Sequence, residues 1–155
     1  MIRRSEERDI PALDKLLYQV HDLHATGRPD LFQKGCKKYT DEELRNILRD
    51  ESTPVFVYTD EADVPVGYAF CIYREYDGSG SLTQRKELYI DDLCVDSACR
   101  GRGIGSALYA FVLEEAKRSG CLHVTLNVWN CNEGAMRFYE KLGMQPLKVY
   151  MEQKL

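Results

Sequence analysis

Apolar residues in the first fifty positions recur with the period of an α-helix in two places. The first stripe fits positions i, i+3, i+4 and i+7 of an amphipathic helix and consists of Leu13, Leu16, Leu17 and Val20. A second helix is predicted to begin at Thr40, because its hydroxyl can cap the first turn while Glu43 completes a capping box. Gly27 and Pro29 break the pattern between the two helices, so residues 24–32 are predicted to form a loop.

Stretches rich in β-branched and aromatic residues predict three consecutive strands in the middle of the chain. They are residues 54–59, 66–73 and 87–95. The polar residues 60–65 predict a hairpin turn between the first two strands. The polar, glycine-rich residues 75–85 predict a loop before the third strand. A short strand is also predicted near the start, at residues 2–4.

The third of these strands alternates between two faces. Leu88 and Ile90 form its apolar face, and the opposite face carries Glu87, Tyr89 and Asp91. The consecutive acidic residues at positions 91 and 92 interrupt this alternation. They predict a β-bulge or a splayed strand, either of which leaves backbone groups without partners.

Apolar residues recur periodically as far as Leu155. This pattern predicts a helix over residues 104–116 that ends at Gly120, a strand over 122–129, a helix over 135–142 that ends at Gly143, and a strand over 147–155. The resulting order of elements is β-α-α-β-β-β-α-β-α-β. Three consecutive strands followed by βαβ units predict an α/β fold with a mixed sheet that helices cover.

Composition and charge narrow the function classes. The chain has 155 residues, of which 44% are hydrophobic, and this predicts a single domain over residues 1–155. A formal net charge of -4 argues against nucleic-acid binding. No apolar stretch approaches the roughly 18 residues that a membrane span requires. The charged start of the chain is unlike a secretory signal, so a soluble, cytoplasmic protein is expected.

The six cysteines are predicted to be free thiols. A domain of this size does not need disulfides for stability, and no cysteine pair has the spacing of zinc ligands. No metal is therefore predicted. A nucleophilic role for Cys94 or Cys131 is an alternative, but no Cys-His-Asn or Cys-His-Asp order accompanies either residue. Packing is the expected role of Cys94.

The segment Arg100–Gly105 carries three alternate glycines between a predicted strand and a predicted helix. Alternate glycines let a ligand approach the backbone closely, and the N-terminus of the following helix attracts anions. A phosphate group is therefore the predicted ligand, and a turn without a ligand is the alternative. Ser106 stands where the dinucleotide-binding pattern requires glycine, and the Walker A pattern is absent.

Residues 93–105 resemble the central motif of the GNAT superfamily of acetyl-CoA-dependent N-acetyltransferases, with Arg100, Gly103 and Gly105 at its three positions. Residues 126–144 are similar to the next motif of that family at Asn132, Ala135, Phe138, Tyr139, Leu142 and Gly143. The resemblance covers nearly the whole chain. It implies a mixed, mostly antiparallel central sheet of about six or seven strands, flanked by about four helices and splayed between the two central strands.

The resemblance also implies acetyl-CoA as the co-substrate, bound without a metal. Backbone groups of residues 93–95 would contact the acetyl carbonyl and the pantetheine arm, and residues 101–106 would hold the pyrophosphate. The implied cofactor-binding set is Leu93, Cys94, Val95, Arg100, Gly101, Arg102, Gly103, Ile104, Gly105, Ser106, Asn132 and Tyr139.

Acetyl transfer to an amine needs a base, an oxyanion donor and an acid. A primary amine with a pKa near 10 is neutral in only about one molecule in a thousand at pH 7, and only the neutral form attacks a thioester. Glu87 and Asp91 are the main candidates for the base, and Tyr89 on the same strand face is an alternative. Weaker candidates are Asp92, Asn127 and His123. The Val95 N–H or a neighbouring one is the candidate oxyanion donor. The resemblance makes Tyr139 the general acid, and the alternative is a core tyrosine.

The acceptor side of the site is less well defined by the sequence. Phe32, Tyr89 and Asn127 are expected to contact the acceptor, whereas Trp129 is expected in the core. The acidic residues of the predicted third strand favour a cationic amine. The chain is therefore predicted to transfer acetyl to a primary amine by direct attack in a ternary complex. The alternative is a non-catalytic domain of the same fold that senses acyl-CoA, and a homodimer is compatible with either.

Overall fold

The computed structural model describes every residue from Met1 to Leu155. Its strands are β1 (Ile2–Arg4), β2 (Val55–Thr59), β3 (Pro65–Tyr76), β4 (Arg85–Val95) and β5 (His123–Leu126). Its helices are α1 (Ile10–Gly27), α2 (Asp41–Arg49), α3 (Ile104–Arg118) and α4 (Glu133–Lys141), with 3₁₀ turns at Glu7–Asp9 and Ser97–Cys99. None of the helices combines the length and the apolar character that crossing a membrane requires.

The five strands form one sheet in the order β1-β2-β3-β4-β5. The first four strands pair antiparallel, and β5 pairs parallel to β4. The mixed, mostly antiparallel sheet is thus confirmed, but the expected number of six or seven strands is wrong. Residues 147–155, predicted as a strand, form no regular secondary structure. A strand requires a partner for its backbone groups, and an alternating pattern carries no information on whether one is in reach.

Helices cover both faces of the sheet and bury the predicted apolar stripes. One core joins α1 and α2 to the sheet through Leu13, Leu16, Leu17, Leu44, Val55, Val57, Tyr68, Phe70 and Cys94. The other joins α3 and α4 to the opposite face through Phe56, Ala69, Leu88, Ile90, Tyr109 and Val112, with Tyr139 and Leu142 packed against them. Side chains that alternate along β4 therefore enter two different cores.

Local signals in the sequence locate most helix ends. The Thr40 hydroxyl accepts a hydrogen bond from the Glu43 N–H (3.2 Å), and the Glu43 carboxylate accepts one from the Thr40 N–H (2.7 Å). Gly120 and Gly143 adopt positive φ angles of 74° and 95° directly after α3 and α4. The predicted capping box and both glycine ends are confirmed. Only α1 differs, because it continues into the predicted loop as far as Gly27.

The predicted irregularity in β4 is a bulge with a splayed end. Residues 70 and 71 of β3 pair with Asp92 and Ile90, which leaves Asp91 as the extra residue. The pairing of β5 with β4 stops at Ile90 and Leu126. Beyond this pair β4 continues to Val95 with no neighbour on the β5 side. The expected splay is therefore confirmed, and it opens the sheet next to the glycine-rich segment.

Candidate functional site

The end of β4 presents backbone groups to the gap beyond β5. The Asp96 N–H donates to the Val66 carbonyl of β3 (2.9 Å), so strand alternation directs the backbone groups of Val95 and Leu93 to the opposite side. The Val95 carbonyl there accepts a hydrogen bond from Arg100 Nε (3.3 Å). The Val95 N–H, the candidate oxyanion donor, faces the same gap.

The glycine-rich segment leads directly into α3 and leaves its first amides free. Gly101 and Gly103 have φ angles of 77° and 76°, and the space beside each Cα is open. No side chain caps this end of the helix. The first helical bond runs from the Ala107 N–H to the Gly103 carbonyl (2.9 Å), so the amides of residues 104–106 have no partner in the helix. These donors and the positive end of the helix dipole suit an anion such as a pyrophosphate.

Two residues of the family motifs also have a structural role. A Cβ at Gly105 would lie 3.2 Å from the Phe138 ring, so a glycine at this position lets α3 and α4 approach closely. The Asn132 side-chain oxygen accepts a hydrogen bond from the Ala135 N–H (3.1 Å) and caps α4. The cofactor contacts that the resemblance implies for Gly105 and Asn132 would add to these packing and capping roles.

Tyr139 projects from α4 into the core that α3 shares with the sheet. Its ring centroid lies 6.1 Å from that of Tyr109 and 5.0 Å from that of Phe138. Burial raises the pKa of the Tyr139 phenol above its ordinary value, and the negative charge of Asp92 adds to this effect. The hydroxyl therefore keeps its proton at neutral pH and is suited to donate a hydrogen bond.

The Glu87 carboxylate lies away from the splayed end of β4. At this position β4 is still paired with His123 of β5, and Glu87 is only 6% exposed. Its Oε1 accepts hydrogen bonds from the hydroxyls of Tyr76 and Thr125 (both 3.4 Å) and lies 3.8 Å from an Arg74 nitrogen. Glu87 is thus enclosed by side chains along the paired part of the sheet, and the structure does not bring it to the glycine-rich segment.

The bulge directs two carboxylates towards the face covered by α1 and α2. Asp91 accepts hydrogen bonds from Lys38 Nζ (2.8 Å) and from the Tyr39 hydroxyl, and both donors reach the same oxygen, Oδ2. Asp92 accepts one side-chain hydrogen bond, from the fully buried Tyr68 (2.9 Å), and the Leu93 N–H also acts on its carboxylate. Two side-chain donors therefore engage Asp91, whereas one engages Asp92.

The surroundings of Asp92 raise the pKa of its carboxyl group. Burial raises its pKa from 3.8 to about 6, although the nearby Lys38 charge and the Tyr68 hydroxyl act in the opposite direction. A base with a pKa near the working pH combines an ionised fraction with useful basicity. The pattern of β4 does not single out Asp92 among the candidate bases, because Tyr68, which contacts its carboxylate, lies 24 positions earlier in the chain.

The residues that are expected to contact the acceptor substrate fall into two groups. The Tyr89 hydroxyl accepts a hydrogen bond from the Asn127 side chain (3.0 Å), and the Arg74 guanidinium lies 3.6 Å from the centre of the Tyr89 ring. Phe32 belongs to a separate aromatic cluster, with ring centroids 5.0 Å from Trp129 and 5.3 Å from His24. The two groups flank the region in which β5 ends.

Trp129 is not a core residue. β5 ends at Leu126, three residues earlier than predicted, and Trp129 is 41% exposed in the loop that follows. It packs edge-on against Phe32 and lies 6.5 Å from the His24 ring. The apolar character of Trp129 suggested burial, but the chain leaves the sheet before it, and the side chain covers the aromatic cluster instead.

All six cysteines are free thiols in the structure. Cys94 is buried, and its Sγ lies 3.7 Å from the Leu16 carbonyl in the core beneath α1. Burial raises the pKa of the Cys94 thiol to about 12, so the thiolate that nucleophilic catalysis requires is scarce at neutral pH. The second candidate, Cys131, is exposed and lies against Gly27. Packing therefore accounts for Cys94.

Residues 17–144 match the model of the acetyltransferase (GNAT) family. A curated thialysine N-epsilon-acetyltransferase from Mus musculus is 32% identical over 142 residues, which are 90% of this chain and 75% of the mouse protein. An uncharacterized N-acetyltransferase from Methanocaldococcus jannaschii is 36% identical over 85 residues, 55% of this chain. That match spans only 36% of the archaeal protein's length.

A solved structure shares this fold over the whole chain. The crystal structure of a tetramutant of the BH1408 protein from Bacillus halodurans superposes with a TM-score of 0.96. The two sequences are 31% identical, and the superposition covers 100% of this chain and 99% of that chain. The fold is thus similar over the full length of both chains. It includes the splayed strand β4, the uncapped N-terminus of α3 and the last helix, α4.

Proposed function

The chain belongs to the acetyltransferase (GNAT) family, and from this premise we propose that it transfers the acetyl group of acetyl-CoA to a primary amine by direct attack in a ternary complex. One observation carries the proposal. The splayed end of β4 adjoins the uncapped start of α3, and the charge of the half-buried Asp92 carboxylate contributes to the raised pKa of the Tyr139 phenol.

The donor set at this site fits acetyl-CoA. The free amides of residues 104–106 would hold the pyrophosphate, and Arg100 and Arg102 add positive charge beside them. Backbone groups of Leu93 and Val95 would hold the pantetheine arm in the manner of an added strand. When bound, acetyl-CoA supplies the activated acetyl group. The proposal requires no metal, because these amides and guanidinium groups offset the phosphate charge.

Asp92 is the proposed general base. Its carboxylate is mostly ionised at pH 7 with a pKa of about 6, and with Tyr68 as its one side-chain donor it can accept a proton from an ammonium group, directly or through water. Asp91 is the proposed electrostatic attractor beside it, since Lys38 and Tyr39 already hold its carboxylate. In this assignment Glu87 accepts hydrogen bonds from the hydroxyls of Tyr76 and Thr125 and takes no proton from the substrate.

The Val95 N–H is the proposed donor to the oxyanion, and Tyr139 is the proposed donor to the departing thiolate. The Val95 N–H faces the gap and would stabilise an oxyanion there. The raised pKa of Tyr139 exceeds that of an ordinary thiol, about 8.5. The phenol is therefore suited to stabilise a departing thiolate by donating a hydrogen bond more than by giving up its proton completely.

A cationic alkyl amine is the proposed class of acceptor. Asp91 and Asp92 lie together at the bulge, and the exposed aromatic cluster of Phe32 and Trp129 offers rings that attract cations. The name of the mouse relative, a thialysine N-epsilon-acetyltransferase, points to an amine on a lysine-like side chain. An anionic acceptor would meet the two carboxylates and is disfavoured.

Acetyl-CoA is expected to raise the melting temperature of the protein. Ligand at about 100 times its Kd adds roughly 2.7 kcal/mol to the free energy of unfolding. For a domain of this size that corresponds to about 5–10 °C. A thermal melt with saturating acetyl-CoA, and with NAD as a control nucleotide, measures the shift. A shift no larger than that with NAD would contradict the proposed cofactor.

A turnover assay distinguishes an acetyltransferase from an acyl-CoA sensor of the same fold. Release of free CoA thiol is measured with lysine and thialysine as acceptors, and with glucosamine 6-phosphate as an anionic comparison. The proposed enzyme releases CoA fastest with the cationic amines. Binding of acetyl-CoA without acceptor-dependent release for any amine would favour the sensor.

Gly103→Val is expected to weaken acetyl-CoA binding by at least about tenfold while the domain stays folded. At φ 76° a β-branched residue introduces strain of roughly 1–3 kcal/mol, and its side chain occupies the open approach to the free amides of α3. Gly120→Val is a matched control, since Gly120 has φ 74° and equally open surroundings at the other end of α3. Calorimetric titration with acetyl-CoA measures both variants. Equal losses in the two would show that strain, and not the loop, determines binding.

A further inference from the structure

Lys38 places an amine of this chain beside the two acidic residues of the bulge. Its Nζ donates hydrogen bonds to the Asp91 carboxylate oxygen Oδ2 (2.8 Å) and to the Asp91 carbonyl oxygen (3.2 Å). An ammonium group has three donors, so a third remains for another partner. Burial raises the pKa of Asp92, and the Lys38 charge acts in the opposite direction. The ammonium group therefore lies close to both carboxylates.

The same ammonium group lies within electrostatic reach of the aromatic cluster. Burial lowers the pKa of His24, and the positive charge of Lys38 contributes in the same direction. The His24 ring lies 5.3 Å from that of Phe32 and 6.5 Å from that of Trp129. The acidic pair and this cluster are the features that favour a cationic alkyl amine, and the region they share is called here the acceptor site. A lysine side chain is itself such an amine.

Lys38 is more mobile in its surroundings than the lysine beside it. Residues 28–40, which connect α1 to α2, contain no helix or strand, and 40% of the Lys38 side chain is exposed. The adjacent Lys37 binds both Asp14 and Asp41, and only 15% of its side chain is exposed. Two neighbouring lysines thus differ in environment. One is held between α1 and α2, and the other lies at the acceptor site.

We propose that Lys38 is a site of self-acetylation, at which its Nζ takes the acetyl group of acetyl-CoA while no external acceptor is bound; this role rests on the proposed function. The Asp91 carbonyl that binds Nζ precedes Leu93 by two residues. Leu93 is one of the residues whose backbone groups would hold the pantetheine arm. Two residues of an extended strand span about 7 Å, a distance that rotation of the flexible lysine stem can cover.

The reaction follows the course proposed for an external amine. The Lys38 ammonium gives one proton to the Asp92 carboxylate, and the neutral Nζ attacks the acetyl carbonyl carbon. The Nζ–C bond forms and the C–S bond breaks. The second proton that Nζ loses leaves with the thiolate as CoA thiol, and Asp92 returns its proton to water.

Acetylation would remove the cation that neutralises Asp91. The amide product at Lys38 carries no charge and keeps one N–H, so it can replace only one of the two hydrogen bonds that Nζ now donates to Asp91. The Asp91 carboxylate would then attract an external ammonium group without competition from Lys38. A single self-acetylation would therefore open the acceptor site.

Peptide mapping by mass spectrometry after incubation with trideuteroacetyl-CoA, without an acceptor, tests the proposal. Acetyl groups are counted at each lysine, whether labelled or acquired during expression. We expect acetylation at Lys38 and not at Lys37, which fragmentation of one shared peptide distinguishes. The matched control, Lys37→Arg, is expected to keep the modification. Lys38→Arg retains the positive charge and is expected to take up no acetyl group at or next to this position.

Asp92→Asn distinguishes self-acetylation from direct chemical reaction of lysines with acetyl-CoA. We expect it to slow the modification of Lys38 by about 10²-fold, the low end of the usual contribution of a general base. The slow background at the exposed Lys117 and Lys154 should not change. The rate at Lys38 should also be independent of protein concentration, because the amine and the site belong to one chain.

Release of CoA with lysine and thialysine as acceptors, measured on the same samples, separates this proposal from the function on which it rests. Acceptor-dependent release with an unmodified Lys38 would overturn self-acetylation and leave the proposed function standing. An unmodified Lys38 without release for any amine would overturn both. Acetylation that is equal at all exposed lysines, that persists in Asp92→Asn, or whose rate rises with protein concentration would also overturn self-acetylation.

Discussion

Replacing Asp92 with asparagine is expected to lower kcat/KM for the acceptor amine by about 10²–10⁴-fold, the usual contribution of a general base. The amide oxygen of asparagine can still accept the hydrogen bond that Tyr68 donates to Asp92 (2.9 Å), but it cannot take a proton. Geometry and acetyl-CoA affinity should therefore change little. Steady-state kinetics with a cationic amine, together with calorimetric titration of acetyl-CoA, measure the two effects separately.

The pH profile shows whether Asp92 is the titrating group. Because burial raises its pKa to about 6, kcat/KM of the unchanged enzyme is expected to fall below pH 6 as Asp92 becomes protonated. The Asp92→Asn variant should lack this decline. Glu87→Gln is the matched control, which should retain both the decline and most of the activity. A decline near pH 6 that persists in Asp92→Asn would assign the base to another group.

Asp92→Asn is also expected to raise the free energy of unfolding at pH 7. A loss of activity in this stabilised variant would then not be due to misfolding. The pKa of Asp92 is about 6 in the folded protein, against 3.8 as the ordinary value. Between these values the folded state binds more protons than the unfolded state, so stability falls as pH rises through this window. Denaturant unfolding should show a gain for Asp92→Asn at pH 7 that shrinks at pH 4, where the carboxyl group is protonated.

Tyr139→Phe is expected to lower kcat by about 10²-fold, at the low end of the range for acid–base groups, because only a hydrogen bond is lost. The phenylalanine ring fills the same space beside Tyr109 and Phe138, so packing and acetyl-CoA affinity should be preserved. Pre-steady-state or steady-state measurement of CoA release gives kcat. An unchanged kcat would remove Tyr139 from the reaction.

Tyr109→Phe is the matched control for this experiment. Tyr109 is buried in the same core, burial likewise raises the pKa of its phenol, and its ring lies 6.1 Å from that of Tyr139. Removal of this second hydroxyl should leave kcat nearly unchanged. Comparable losses in both variants would point to a general effect on packing around α4 and against a specific role for one hydroxyl.

Several features of the fold follow from signals that are local in the chain. The capping box at Thr40 and Glu43 and the glycines that end α3 and α4 each act within a few residues, so the sequence alone locates them. The glycine-rich segment before α3 is equally local, and its predicted anion site needs only the following helix. The bulge at Asp91 also follows from a local break in alternation.

The roles of individual site residues depend on contacts that are distant in sequence. Glu87, Asp91 and Asp92 are similar carboxylates a few positions apart, and the pattern of β4 does not rank them. Their surroundings come from other elements: Thr125 and Tyr76 at Glu87, Lys38 at Asp91, and Tyr68 at Asp92. The pKa of about 6 at Asp92 is a consequence of burial, which arises only when these elements pack together.

The sequence by itself thus determined the order of elements from β1 to α4, the start of α2, the ends of α3 and α4, the glycine-rich turn before α3 and the break in β4. Only the tertiary structure decided that Trp129 is exposed, that residues 147–155 do not join the sheet of their own chain, and that Asp92 is the perturbed carboxylate. The physical reason is the distance along the chain over which each effect acts. Periodicity and capping act along the chain, whereas strand pairing, burial and electrostatic environment depend on which distant segments meet.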